Sequence, residues 1–412
     1  MKRKVLETLK KWYDAKEQNI IYLYGAKGVG KTRLVYDFLN DCDAKKAYLN
    51  FELTENLKQL LDGETMEEIV TSIATYFEFD RKDEAIFVFD ECYFVENKIS
   101  TIVEHAEFLA NAKIILISSY NLELLENYPT NVLPILQVYP LDFEEFLEVG
   151  SNKWYINVIR EHFASCKPIP EIVHQELLSL FYDYVLIGGM PTAVNEYYMM
   201  DSILNLGEQH RLLLNHQLKS LSTIVEESTY GKAMAMLDTV DMQLAKKNHN
   251  FQYSMIRKGA TKNQYCQAKK VLVSNHVMLE ATALDQKHHK LFLYDIGILS
   301  TKTKQRKFDI MHTINPVLWK GLLENYVAQT LVSLGYPLQY WESEASAKID
   351  FIIQKKDGYL TIEVYAGENT KSKAVSIFKE THTCIGSYKI SSKNFCRKNM
   401  VQYVPFYAAF CM

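Results

Sequence analysis

Residues 20–32 read Ile20-Ile-Tyr-Leu-Tyr24-Gly25-Ala26-Lys27-Gly28-Val29-Gly30-Lys31-Thr32, and Arg33-Leu-Val-Tyr-Asp-Phe-Leu39 follows. An apolar β-branched and aromatic run passes straight into GxxxxGK[ST] and then into a 3.6-period apolar pattern with Leu34, Val35, Phe38 and Leu39. Glycine lets backbone N–H groups turn inward around a phosphate. The helix that opens there adds its partial positive charge, Lys31 reaches the β- and γ-phosphates, and the Thr32 hydroxyl suits Mg²⁺. Residues Gly25, Ala26, Lys27, Gly28, Val29, Gly30, Lys31, Thr32 and Arg33 are the candidate nucleotide contacts. Taken outside this strand-to-helix context, the same pattern would be an ordinary glycine-rich turn.

A second stretch, Ala85-Ile-Phe-Val-Phe-Asp90-Glu91, is an apolar strand ending in two adjacent carboxylates. Asp90 is the candidate Mg²⁺ ligand and Glu91 the candidate general base that polarises the attacking water. The run Lys113-Ile-Ile-Leu-Ile-Ser118-Ser119 ends in hydroxyls, so Ser118 and Ser119 are candidates to contact the γ-phosphate or the water. Together the stretches imply a site for a nucleoside triphosphate with Mg²⁺.

Outward from these motifs, the first 150 residues alternate short strands (Ile20–Tyr24, Ala47–Glu52, Ile86–Asp90, Lys113–Ser118) with amphipathic helices, as a parallel α/β sheet requires. Length and composition agree with several ordered domains: 412 residues, 48% hydrophobic, 23% charged, with 16 glycines and 9 prolines. No apolar run suggests a membrane span. Seven cysteines without a CxxC pair argue for free thiols and a cytoplasmic protein. The net charge of −4 argues against a general nucleic-acid coat. It averages a stretch of net −9 at 41–91 (fourteen acidic, five basic) and one of net +6 at 371–400 (seven basic, one acidic).

Further landmarks are Ser118-Ser-Tyr-Asn-Leu122, Pro140-Leu-Asp-Phe-Glu-Glu-Phe146, Gly188-Gly-Met-Pro191, Tyr294-Asp-Ile-Gly-Ile298 and Gly321-Leu-Leu-Glu-Asn325. In this order the chain resembles prokaryotic AAA-family P-loop ATPases with a winged-helix segment and a C-terminal PD-(D/E)XK nuclease-like domain. The resemblance implies an ATPase core at 1–150 with ATP and ADP as its ligands, a helical lid at 151–240, a winged-helix-like part at 241–300 and a restriction-endonuclease-like α/β domain at 301–412. Relatives often carry Gly-Arg shortly before the Pro-Leu-x-Phe block. Here that stretch is Val132–Tyr139, and with eight arginines in the chain no arginine finger is identifiable.

Phe143, Phe146 and Leu147 share one helical face and are expected to glue the lid to the core. Gly188-Gly189 suits a tight turn that either packs or approaches nucleotide. Thr261 and Gln264 form a capping box for a helix with Tyr265, Ala268 and Leu272 buried, and two short strands around the polar turn Asp285–Lys290 would make the wing. Lys258, Lys262, Lys269 and Lys270 are either a solvated face or contacts to DNA phosphates.

In the last segment Glu324 lies on a helix, Asp350 on one strand and Glu363 on the next. A nuclease of this type needs Glu-x-Lys on that strand, but Tyr365 stands where the lysine belongs. A phenol is neutral at pH 7 and cannot supply the missing charge. Lys348, Lys371 and Lys373 are candidates for a migrated lysine. The favoured reading is therefore an inactive nuclease-like scaffold, with DNA or an acidic protein as possible partner of residues 371–400. Three functions remain open from the sequence: a slow ATPase that repositions its C-terminal domains, a nucleotide-gated scaffold, and an ATP-regulated DNA nuclease.

Overall fold

The computed structural model describes all residues except 1–2, 16–18, 64, 79, 81–82, 105–111, 123–127, 129–132, 201–204 and 345–346. The chain divides into two units, residues 1–139 and 140–412.

In the first unit, strands β1 (Ile20–Tyr24), β2 (Lys45–Asn50), β3 (Ala85–Asp90), β4 (Ala112–Ser118) and β5 (Ile135–Gln137) form a parallel sheet in the order β2-β3-β4-β1-β5. Helices α1 (Lys4–Asp14), α2 (Lys31–Asn40), α3 (Met66–Tyr76) and α4 (Glu96–Glu104) accompany it. Every residue of β3 is buried, as a strand covered on both faces requires. Phe87, Phe89, Ile114, Leu116, Ile69 and Ile99 belong to one core cluster. Each such side chain stabilises by roughly 1.5–3 kcal/mol on burial. The order has a consequence for chemistry: β4 lies between the strand that enters the phosphate loop and the strand that ends in Asp90. In register, Tyr24 pairs Ser118, Ile117 pairs Asp90, and Asp90 pairs Asn50, so the carboxyl ends of four strands meet in one row. β2 begins and ends two residues before the sequence expectation, and Phe51–Leu53 turn away from it.

The second unit begins with helices α5 (Phe143–Val149), α6 (Lys153–Ser165), α7 (Glu171–Ile187), α8 (Pro191–Met200), α9 (Leu206–Ser222), α10 (Glu227–Leu237) and α11 (Val240–Leu244). Then come α12 (Lys262–Ser274), β6 (Met278–Ala283), β7 (His289–Leu293), α13 (Ile296–Lys302), α14 (Pro316–Ser333), β8 (Gln339–Glu342), β9 (Lys348–Lys355), β10 (Gly358–Val364), α15 (Ala374–Phe378), β11 (Cys384–Ser391), β12 (Cys396–Lys398) and β13 (Val401–Pro405). The strands form an eight-stranded mixed sheet in the order β12-β13-β11-β10-β9-β8-β6-β7. The β6–β7 hairpin, read from sequence as the wing of a separate part at 241–300, pairs with β8 through Thr282–Gln339 and is the edge of this same sheet. Its burial explains the difference: all of β7 is buried, whereas a free wing would expose one face. The capping box at Thr261 and Gln264 is present, and α10 packs on α12.

Several landmarks owe their residue types to close packing here. A Cβ on Gly189 would lie 2.1 Å from the Leu141 carbonyl oxygen, and one on Gly188 (φ +71°) 2.2 Å from the Asp295 carboxylate. Asp295 caps α13 by accepting from the N–H groups of Gly297 and Ile298, and it also accepts from Gly189 N–H at 2.7 Å. The Gly-Gly-Met-Pro and Tyr-Asp-Ile-Gly-Ile stretches are thus two halves of one buried junction. Phe143 meets Phe181 and Tyr184 of α7 edge-on, and Phe146 meets Tyr184 in the same way, inside the same unit. Pro140 to Phe146 therefore anchors the helices that follow it. On α14, Asn325 bonds both N–H and C=O of Leu293, and Gly321 admits the Leu244 carbonyl.

Candidate functional site

Gly28 and Gly30 have φ of +83° and +95°, the left-handed conformations that turn a loop's N–H groups inward, and α2 starts at Lys31. A Cβ on Gly25 would sit 2.2 Å from the Val138 carbonyl oxygen, so the loop passes too close to the chain after β5 for any other residue. Lys31 is 4% exposed. Its ammonium donates to the carbonyls of Gly25 (2.8 Å) and Ala26 (3.1 Å) and to Ser119 Oγ (2.8 Å). Burial lowers its pKa to about 8, although Glu91 and Asp90 nearby pull it the other way.

Thr32 Oγ1 donates to Asp90 Oδ2 at 2.9 Å, which puts a hydroxyl and a carboxylate oxygen side by side. Such a pair of hard oxygen donors fits Mg²⁺, which keeps most of its waters and takes few protein ligands. Two residues that sequence reading missed reach the same oxygen: Tyr48 donates its phenol to it, and Asn50 Nδ2 lies at 3.3 Å. Their only signal was position at the carboxyl end of β2, and it acquires meaning only through the Asn50–Asp90 register.

Glu91 sits just past β3 with φ +51° and is buried. Its carboxylate accepts from Ser119 N–H (3.0 Å) and Ser119 Oγ (2.5 Å). Ser119 thereby links Lys31 to Glu91, because β4 lies beside both β1 and β3. Ser118 is different. Its hydroxyl donates to the Tyr120 carbonyl at 2.8 Å and accepts from the Tyr120 N–H at 3.0 Å, so it shapes the turn. Lys27 pairs with Glu52, and its ammonium lies 5.7 Å from the Tyr120 ring centre. The Arg33 side chain is 79% exposed and pairs with Asp37, which leaves only its backbone for a phosphate.

A second cluster of charge lies in the second unit. Glu324 on α14 is 1% exposed, with Oε2 at 3.0 Å from both Lys290 Nζ and His249 Nδ1. Its Oε1 lies 3.6 Å from Lys320 Nζ, which also contacts Asp350 Oδ1 at 3.0 Å. Asp350 Oδ2 accepts from the Val364 N–H at 2.7 Å. Burial works against charge on Glu324, yet His249, Lys290 and Lys320 outweigh it and hold the carboxyl well below its usual range. For Asp350 burial dominates and raises the pKa, with Lys320 opposing. Glu363 faces Lys389, its register partner on β11, at 3.5 Å. Tyr365 is half-buried beneath the same ammonium, 5.4 Å from its ring centre. Burial, with Glu363 beside it, raises the phenol's pKa and keeps it neutral.

Of the candidates for a migrated lysine, Lys348 pairs with Glu342, and Lys371 and Lys373 are exposed. Lys290, Lys320 and Lys389 take their place from β7, α14 and β11, each far from the motif in sequence. Among the described residues, no group of three or more His, Cys, Asp or Glu is placed to hold a metal ion. Of the four lysines considered for DNA, Lys258, Lys262 and Lys270 are exposed, while Lys269 pairs with Glu280.

Residues 17–147 match the AAA domain family, and residues 320–406 match a domain family of unknown function, DUF4143. The first match takes in nearly all of the first unit and runs a few residues into the second, and the motifs of the first site lie inside the matched span. Among solved structures, the chain is similar to a Walker-type ATPase of Pyrococcus abyssi, at 15% identity over 72% of this chain and 94% of that one, with a TM-score of 0.44. It is also similar to PCH-2 of C. elegans, at 18% identity, 53% and 66% coverage and a TM-score of 0.29. A Signal Transduction ATPase with Numerous Domains from Pyrococcus horikoshii, which has a tetratricopeptide repeat sensor, is 13% identical. Coverage there is 82% of this chain and 49% of that one, with a TM-score of 0.28. No curated protein is significantly similar to the chain. Among the described residues, no helix is long and apolar enough to cross a membrane.

Proposed function

We propose that the chain binds ATP with Mg²⁺ through residues 25–33, hydrolyses it slowly, and uses its nucleotide state to reposition its C-terminal part. The observation that carries this reading is the convergence of Lys31, Thr32, Asp90, Glu91 and Ser119 at the carboxyl ends of neighbouring parallel strands. Lys31 exchanges the loop carbonyls for phosphate oxygens, and the turned backbone of Gly28 and Gly30 donates N–H groups. Thr32 and Asp90 would hold Mg²⁺, whose positive charge offsets charge on the transferring phosphoryl group. Glu91 orients a water and accepts its proton, and Ser119 positions Glu91 through two hydrogen bonds. Without an identifiable arginine finger, which is worth ~10³–10⁵ in rate where one operates, slow turnover is expected.

A second reading is a nucleotide-gated scaffold with little hydrolysis. It is favoured by the engagement of the Glu91 carboxylate with Ser119, which competes with binding a water. Measuring ATP turnover in wild type and Glu91→Gln separates the two: equal rates favour the scaffold.

For the C-terminal part we favour a restriction-endonuclease-like scaffold without nuclease activity. Asp350 and Glu363 on the paired antiparallel strands β9 and β10 support this reading, and Tyr365 supplies no positive charge. DNA or an acidic protein is the suggested partner of the exposed basic residues after 370 and of Lys258, Lys262 and Lys270. Incubation with plasmid and Mg²⁺ or Mn²⁺ tests this, since cleavage lost in Asp350→Ala would restore the nuclease reading.

A further inference from the structure

Asp350 and Glu324 each use one carboxylate oxygen for fixed structural partners. Asp350 Oδ2 is bonded to the Val364 N–H, and Glu324 Oε2 to Lys290 and His249. The other two oxygens, Asp350 Oδ1 and Glu324 Oε1, both face one group, the Lys320 ammonium, at 3.0 and 3.6 Å. Two carboxylates on different elements sharing one cation is the arrangement by which acidic side chains hold a hard divalent ion. Here the shared cation is covalently part of the protein, carried one helical turn before Glu324 on the same face of α14. Nearby, Glu363 is 5% exposed, and its Oε2 has no hydrogen bond among the described residues. The Val364 N–H bonded to Asp350 belongs to the next residue along β10, and the Lys389 ammonium lies 3.5 Å from Glu363 Oε2. A dication placed among these oxygens would lie next to an ammonium and be strongly repelled. The wild-type residues therefore do not fit a metal ion, although the acidic positions are those of a metal-dependent nuclease.

We propose that the Lys320 ammonium is a built-in substitute for a divalent cation at Asp350 and Glu324, and that removing it opens a site for Mn²⁺ or Mg²⁺. This inference stands apart from the nucleotide reading, because it concerns only residues of the second unit.

The test is Mn²⁺ titration of the full chain without nucleotide, followed by the paramagnetic resonance signal of free Mn²⁺. Wild type and Asp350→Asn are expected to bind alike, since any background comes from elsewhere. Lys320→Met should bind additional Mn²⁺, and Lys320→Met/Asp350→Asn should return to background. The melting temperature of Lys320→Met should also rise on exchange from EDTA to Mn²⁺, by more than that of wild type. Loss of Mn²⁺ binding in Asp350→Asn relative to wild type would overturn the proposal. So would a folded Lys320→Met, checked by circular dichroism, that gains no Mn²⁺. If Lys320→Met fails to fold, Lys320→Gln carries the same expectations, and the wild-type comparison with Asp350→Asn stands without either.

Discussion

Lys31 and Lys290 are both 4% exposed, yet they are held in opposite ways. Lys31 contacts two carbonyls and a hydroxyl, and Asp90 and Glu91 bond to other neighbours. Lys290 contacts the buried carboxylate of Glu324 directly, in a cluster where His249 meets the same oxygen and Lys320 faces the other one. The first site keeps its charges apart, with each one able to serve a ligand of opposite sign. In the second, the charges cancel internally. The same residue types thus keep their charges apart in one unit and pair them in the other, and the difference lies in which groups touch.

The largest effect should come from the first site. Glu91→Gln should lower ATP turnover by roughly 10²–10⁴-fold while ATP binding is retained, measured by phosphate release beside a binding titration. Next comes the comparison itself. Lys290→Met should destabilise the protein by about 3–5 kcal/mol in chemical denaturation, because it leaves Glu324 buried without that partner. Lys31→Met should leave stability unchanged or raise it, since it removes a buried ammonium that has no carboxylate in contact. Equal losses in the two variants would erase the distinction.

Ser119→Ala sharpens the first site. It should lower kcat about tenfold with KM little changed, as removal of a hydrogen bond to a charged group implies. A rise in kcat would instead mean that Ser119 restrains Glu91, which is the scaffold reading. The smallest expected effect is in pH. With Lys31 at about 8 instead of the ordinary 10.5, the folded state binds fewer protons than the unfolded state between those values. Stability therefore gains from Lys31 as pH rises through that window, and ATP affinity falls above about pH 8 as the ammonium is lost. Binding titrations across pH 7–10 check the latter.

Much of the first site was legible because its residues are local. Gly25 to Thr32 is one turn, and Asp90-Glu91 ends one strand, so strand-then-loop and strand-then-acid patterns were enough. Tyr48 and Asn50 were not legible, because only the β2–β3 register brings them to Asp90. The same holds more strongly in the second unit. Asp350, Glu363 and Tyr365 could be picked out by spacing. Lys290, Lys320 and Lys389 come from β7, α14 and β11 and meet those residues through pairings between distant segments. The hairpin at 278–293 looked like a free wing for a related reason: a sequence shows a turn between two short strands but not whether the outer edge is covered. Gly188-Gly189 could be read only as a turn, whereas the need for two glycines comes from Leu141 and Asp295 approaching the backbone from elsewhere.

Everything proposed for the first unit turns on Lys31 as the cation that holds a nucleotide at residues 25–33. Titrating ATP–Mg²⁺ against wild type and Lys31→Ala tests it most directly. Saturable binding by wild type and its loss in the folded variant are the predicted result. Unchanged affinity in Lys31→Ala would contradict the account.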